Sequence, residues 1–269
     1  AVWMPRPKLR RSGGALPQPA RGRARETAWL AAQRAEYETV RSYWTDLCTA
    51  HGIKIYLSWF KYDGSHAAIA DALQRLGGVT AIYQRSYESH AAAHTAVAAD
   101  LFFGFSQATA EVERCSGSVI PYHVTTGYLG DHRFPLLRRQ AATRREALHR
   151  RGATRILGFA DEHSVADGRW YPSHEFMRGY YAFLLERVLE EPWLGLIVKP
   201  KVPATLRARL GPVAELLRRA EATGRCVIYE EGWLHGSYPP AAAALAADVM
   251  VHGHLHAATA GIESALAGV

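Results

Sequence analysis

The chain is poor in cysteine, with three in 269 residues. Cys48, Cys115 and Cys226 stand far apart and lack the close spacing of a zinc site or a redox pair. This argues against a disulfide framework. It fits a reducing, cytoplasmic setting in which each thiol is buried as a small apolar group. Long apolar runs are missing as well. No stretch of about eighteen uninterrupted apolar residues occurs, so no membrane-spanning helix is expected. The opening from Ala1 to Arg25 is basic and rich in proline and glycine, with no apolar centre, and does not read as a secretory signal. Acidic residues are outnumbered, 25 against 32 lysines and arginines, for a net charge of +7. Such a surplus suits nucleic acid, an anionic membrane surface or phosphorylated small molecules. No aromatic and basic nucleic-acid motif accompanies it, so phosphate-bearing ligands are the expected partners and nucleic acid is not. An initiator methionine is lacking and the last residues stop inside a helical pattern, which reads as a fragment of a longer protein.

What is present is a core and an alternation. Hydrophobic residues make up 48% of the chain, enough for a packed interior. Residues 1–23 read as a linker, broken by Pro5, Pro7, Gly13, Gly14, Pro17 and Pro19. A helix is expected over Glu26–Ala50, on the spacing of Trp29, Leu30, Tyr37, Val40, Tyr43, Trp44 and Leu47. Strands then alternate with helices: strands at 53–60, 79–83, 101–105 and 119–122, helices at 67–76, 90–98 and 108–115. A turn at Gly127–Asp131 and a basic helix over 136–151 lead into a second alternation. There, strands are expected at 155–160, 194–198, 227–229 and 248–252, and helices at 173–190, 204–222, 240–246 and beyond Thr259. This pattern implies an α/β protein with parallel sheets and right-handed crossovers. The expected organisation is two Rossmann-like domains facing across a cleft, a partial first domain over 24–135 and a second over 136–269. The basic helix at 136–151 would be a solvated face or a contact for the cytoplasmic side of a membrane.

In open α/β sheets ligands sit beyond the carboxyl ends of strands. The second half places Asp161, Glu162 and His163 at one such end, and Lys199 and Lys201 at another. At a third, the loop Gly253-His254-Leu255-His256 leads to a helix starting near Thr259 with Glu263 inside it. The free N–H groups and positive pole of that helix favour an anion. The lysines would face a diphosphate as point charges. Glu263 would accept from ribose hydroxyls or simply balance the helix dipole. In the first half, Asp63 and His66 follow a strand, where a general base would act on an acceptor hydroxyl, and His90 and His94 share a helix face. His252, His254 and His256 alternate as strand residues do, but no clear fourth ligand accompanies them, and no metal site is expected. A sharper alternative is a metallophosphoesterase-like hydrolase, since Asp161-x-His163 and Gly253-His254-x-His256 match the first and last motifs of that class. The bridging motifs between them are absent.

Three stretches carry a resemblance to a known family: LGFADEHS at 157–164, LLERVLEEP followed by IVKPK at 184–201, and ADVMVHGHLHAATAGIESALAG at 247–268. Together the second half resembles the nucleotide-sugar-binding half of GT-B-fold glycosyltransferases, in particular bacterial surface-carbohydrate and polysaccharide biosynthesis proteins. DGSHAAIADALQRLGGVTAIYQRSY at 63–87, GFS at 104–106 and TTGYLGD at 125–131 are similar to the end of the acceptor-side domain and the hinge. The chain departs from the related glycerophosphotransferases in having K-P-K where they have K-P-H-P. The resemblance implies sugar transfer from a nucleotide-sugar donor to a surface-polysaccharide or lipid-linked glycan acceptor, without a metal or other cofactor. Carried onto this chain, it implies that Glu263 holds the donor ribose. Thr259 and Gly261 would approach the diphosphate, Lys199 and Lys201 would neutralise it, and Asp161, Glu162 and His254 would line the donor site. Asp63 or His66 would serve as base. A non-catalytic nucleotide-binding module of the same fold is the other alternative.

Overall fold

The computed structural model describes residues 24–59, 61, 64–88, 90–169, 171–230, 238–253 and 258–269. The chain divides after Tyr128 into two compact units. Each carries a four-stranded, all-parallel sheet. Among the described residues no helix is long and apolar enough to cross a membrane.

The first unit runs α1 (Ala24–Ala50), β1 (Ile55–Ser58), α2 (Gly64–Arg75), β2 (Val79–Tyr83), β3 (Leu101–Gly104), α3 (Gln107–Ser116) and β4 (Tyr122–Thr125). Its sheet order is β1-β2-β3-β4, with no reversal. Right-handed crossovers then send every connecting helix to the same face. The packing agrees. Tyr56 on β1 joins Trp44 of α1 and Ile69 and Leu73 of α2 in one cluster, and Phe102 of β3 lies under the Lys61 ammonium, which reaches Glu113 of α3. The opposite face is almost wholly apolar: Ile55, Leu57, Val79, Ala81, Tyr83, Leu101, Phe103, Tyr122 and Val124 align across the register. It is open at its β1 edge, where Ile55 is 69% and Leu57 59% exposed, and half-buried or buried over most of β2 and β3.

The second unit runs α4 (Phe134–Arg150), β5 (Arg155–Ala160), α5 (His174–Glu190), β6 (Leu194–Lys199), α6 (Leu206–Leu210), α7 (Val213–Ala222), β7 (Cys226–Ile228), α8 (Pro240–Ala244), β8 (Val249–His252) and α9 (Ala258–Ala267). Its order is β7-β6-β5-β8, so the chain reverses direction after β7 and returns past β5. Helices therefore cover both faces. Phe159, Leu196 and Val198 pack with Met177, Tyr181 and Leu185 of α5 and Leu217 of α7 on one side. Ile156 and Ile197 pack with Leu137 and Leu148 of α4 and the alanines of α8 on the other. Helix α5 forms because Ser173 caps the Phe176 amide at 3.2 Å and Met177, Tyr181, Leu185 and Val188 recur on one buried face. At Gly158, where β5 meets β8, a Cβ would stand 2.1 Å from the Met250 sulfur, so any side chain there would displace Met250.

Four sequence expectations change. Cys115 is exposed on α3, whereas all three thiols were expected to be buried. Residues 90–98 form no helix: the chain crosses to β3 through a single 3-10 turn at Ala93–Thr95, so His90 and His94 do not share a helix face. The strand expected at 119–122 begins at Tyr122 instead. Pro121 has no N–H for the ladder, and Val119 makes only an isolated bridge with Ala98. The helix expected over 204–222 breaks at Gly211-Pro212, where Gly211 adopts a φ of 55° and Pro212 opens α7.

Lys61 sits buried between Glu88, 2.8 Å away, and Glu113. Ser118 donates a further bond to Glu113 at 2.6 Å. Removing one partner of a buried pair leaves an unbalanced charge, which costs about 3–5 kcal/mol. Lys61→Met is therefore expected to lower the unfolding free energy read from urea titration by that amount, and the added Glu113→Gln substitution to recover much of the loss.

Candidate functional site

Where the strand order reverses, neighbouring strands send their following segments to opposite faces, leaving a crevice beyond their carboxyl ends. In the second unit this happens between β5 and β8. The ends are level: Ala160 pairs in register with both Lys199 and His252. Asp161, Glu162, His163 and Ser164 follow β5, Pro200 and Lys201 follow β6, and Gly253 follows β8. The topology thus brings to Lys199 the side chains of Asp161, Glu162, Lys201 and Glu263, which all act on it electrostatically. Thr259 and Gly261 lie within the first turns of α9, half-buried, with Thr259 inside the helix and not before it. Asp63, His254 and His256 lie outside the described residues.

Strand alternation puts one buried charge on each side of this sheet. Asp161 shares the side of Phe159 and faces α5 and α6. Its Oδ2 accepts from Arg209 Nη2 at 2.8 Å, and the Tyr181 hydroxyl lies against it. Burial pushes the Asp161 carboxyl up, while Arg209 and Tyr181 draw it back. The same guanidinium donates through Nη1 to Ser164 Oγ at 3.0 Å, and that hydroxyl is hydrogen-bonded to His174 Nδ1 at 2.8 Å. His174 opens α5, and burial together with Arg178, Arg209 and His163 holds its imidazole below the usual range. An acid, a guanidinium, a hydroxyl and an imidazole thus form one chain along the crevice wall.

Lys199 faces the α8 and α9 side. It is buried, and its ammonium donates to the Pro200 carbonyl at 2.9 Å. Burial lowers its pKa to about 8, against the pull of Glu263 and Asp161. Glu263 is 0% exposed. Its Oε1 accepts from Arg133 Nη2 at 2.9 Å and its Oε2 from the Ala241 amide at 2.7 Å. This carboxylate therefore supplies the missing cap at the amino end of α8, whose N-cap position, Pro239, makes no side-chain bond. A ribose would have to compete with Arg133 for it. At the rim, Lys201 ion-pairs with Glu162, and Tyr171 donates its hydroxyl proton to the Gly253 carbonyl.

The Nδ1 atoms of His163 and His252 are buried without a hydrogen-bond partner among the described residues. Even so, no described group of three or more histidine, cysteine, aspartate or glutamate side chains is placed to hold a metal ion. In the first unit, His66 is buried in the first turn of α2 with Nε2 3.2 Å from the Ala98 carbonyl. A cavity of about 260 Å³ lined by Tyr37, Asp71, Gln74, Thr80 and Asp100 opens at the amino ends of β2 and β3. That is the end of a parallel sheet opposite to where such folds bind ligands.

Sequence reading missed Arg133, Tyr171, His174 and Arg209. Arg209 is 48 residues from its partner, and its place follows from the Gly211-Pro212 break, which was itself a legible signal. His174 was also legible, as the residue after the Ser173 cap.

A lysine whose pKa falls from 10.5 to about 8 on folding binds its proton more weakly folded than unfolded. The folded state thus carries the full burial cost below pH 8, about 3 kcal/mol, and sheds it as the pH rises towards 10.5. Lys199→Met is expected to raise the unfolding midpoint at pH 7, with the gain shrinking towards pH 10. A gain that does not change with pH would place the effect in packing. Compared with models of known protein families the chain matches none, and no curated protein matches it.

Proposed function

We propose that the crevice between β5 and β8 binds the diphosphate of a nucleotide-sugar, and that the chain takes part in transferring the sugar to a hydroxyl of a surface-polysaccharide or lipid-linked glycan. The observation that carries this reading is the reversed strand order β7-β6-β5-β8 with a buried Lys199 at the end of β6, level with the ends of β5 and β8. On this reading the second unit is the donor half of a GT-B-type transferase that needs no metal.

The chemistry follows from what the crevice supplies. A diphosphate leaving group gains charge as the bond to the sugar breaks. Fixed positive groups and amide dipoles aimed at it lower that barrier. Lys199 is held partly desolvated, where an ammonium acts most strongly, and an arriving anion offsets the burial that depresses its pKa. Lys201 gives a second charge at the rim once Glu162 releases it. The first turn of α9 offers backbone N–H groups. Glu263 acts here by fixing α8 and by steadying the proton on Lys199, more than by gripping ribose directly.

The test is thermal unfolding in the presence of UDP, GDP, CMP or dTDP, with and without EDTA, because a ligand bound only by the folded state raises the midpoint. We expect a rise with at least one diphosphate, unchanged by EDTA and lost in Lys199→Met. Because Lys199 must be protonated to hold the anion, binding above pH 8 should take up a proton and weaken as the pH rises further. Glu263→Ala is a poor probe, since it also strips the cap from α8. A midpoint indifferent to every nucleotide would overturn the reading. One that falls with EDTA would favour a metal-dependent phosphoesterase.

A further inference from the structure

The outer side of α5 is aromatic where a solvent-facing helix is ordinarily polar. Met177, Tyr181, Leu185 and Val188 fill the buried face, so Phe176 and Tyr180, one turn apart, are not needed for the core. They are 42% and 40% exposed, and Tyr171 in the preceding loop is 37% exposed. The three rings touch in series. Tyr171 and Phe176 have centroids 5.0 Å apart at 67°, and Phe176 and Tyr180 have centroids 4.6 Å apart at 74°. Edge-to-face contacts of this kind hold rings rigidly while leaving part of each open.

This shelf starts at the crevice itself. The Tyr171 hydroxyl is bonded to the Gly253 carbonyl at the end of β8. The same ring lies within electrostatic reach of Glu162, which pairs with Lys201. Below, Gly253 rests against the Met177 side chain and the Glu162 amide, 3.1 and 3.6 Å from where its Cβ would stand. An apolar, partly exposed surface joined to a crevice that holds Lys199 and Lys201 is suited to a ligand with a flat ring at one end and phosphate at the other. Phe183, one turn further along α5, is set apart, since the Arg187 guanidinium lies 6.0 Å over its ring.

We infer that Tyr171, Phe176 and Tyr180 form a stacking shelf for the base of a nucleotide whose phosphates occupy the β5–β8 crevice. The inference rests on the reading of that crevice as a diphosphate site. It adds where the base is held, and it assigns base recognition to stacking. Every base has a π-face, so a shelf of this kind grips the base firmly and discriminates weakly among bases. Hydrogen bonds to base edges are left to other groups.

The experiment compares inorganic pyrophosphate with UDP and GDP by calorimetric titration of the whole chain and of Phe176→Ala/Tyr180→Ala. Both positions are exposed, and far-ultraviolet circular dichroism checks that the double variant is folded. In the parent, both nucleotides should bind more tightly than pyrophosphate. The double variant should lose about 5- to 150-fold in nucleotide affinity, the range expected from stacking on one base, with pyrophosphate unaffected. Phe176→Tyr/Tyr180→Phe, which keeps both rings, should bind nucleotides as the parent does. If pyrophosphate binds and UDP and GDP bind no more tightly, or bind equally to the double variant, the shelf is overturned while the diphosphate site stands. If neither pyrophosphate nor any nucleotide binds, the diphosphate site fails and the shelf with it.

Discussion

The hand of the β-strand crossover governs the whole structure. A right-twisted strand returning through a helix to a parallel neighbour closes on one side only. What each sheet looks like therefore depends on whether the chain reverses direction. In the first unit it does not, and the order β1-β2-β3-β4 gathers α2 and α3 on one face and leaves the other apolar and open at its β1 edge. In the second unit it reverses after β7, and the same rule covers both faces. Parallel sheets are stable with both faces covered, so the second unit has the more complete core. The reversal also makes the crevice, because β5 and β8 send their continuations apart.

At that crevice the fold holds charge where burial opposes it. Asp161 and Lys199 are both buried at strand ends, on opposite sides of the sheet. Each is held differently. Asp161 has a guanidinium at 2.8 Å and is built into the wall with Ser164 and His174. Lys199 has the Pro200 carbonyl at 2.9 Å and the attraction of Glu263 and Asp161, and its pKa still falls to about 8. A buried cation with its proton loosely held is a standing cost to stability. Such a cost persists most readily where an anion removes it. Glu263 links this site to the rest of the unit, since the carboxylate that attracts Lys199 also closes the end of α8.

The strands were legible because their apolar runs are short and bounded by glycine, proline or charge. Val79–Tyr83 and Arg155–Ala160 appear in the structure with the bounds the sequence suggests. The errors lie where local signals compete. His90–Ala98 has helical composition, yet the extended backbone that lets Ala98 bridge Val119 leaves room for only one 3-10 turn. In 204–222 the alanine, leucine and arginine content outweighed the Gly211-Pro212 break, and with it the place of Arg209. Alternation of strand and helix also showed that Asp161, Glu162, Lys199 and Lys201 sit at strand ends. It did not show that Lys201 would pair with Glu162 or that Lys199 would be buried.

The sequence by itself determined the α/β class, the parallel strands and the cluster of charged residues after β5 and β6. These follow from periodicity and from the one hand of the crossover, which are local properties of the chain. Only the tertiary structure decided the strand order, because a right-handed crossover permits the next strand on either side of the sheet. That choice puts β8 beside β5, makes Glu263 a buried cap for α8, and sets Tyr171, Phe176 and Tyr180 against the mouth of the crevice. Neighbours drawn from opposite ends of a unit are fixed by packing the whole chain at once, and no short stretch of residues encodes them.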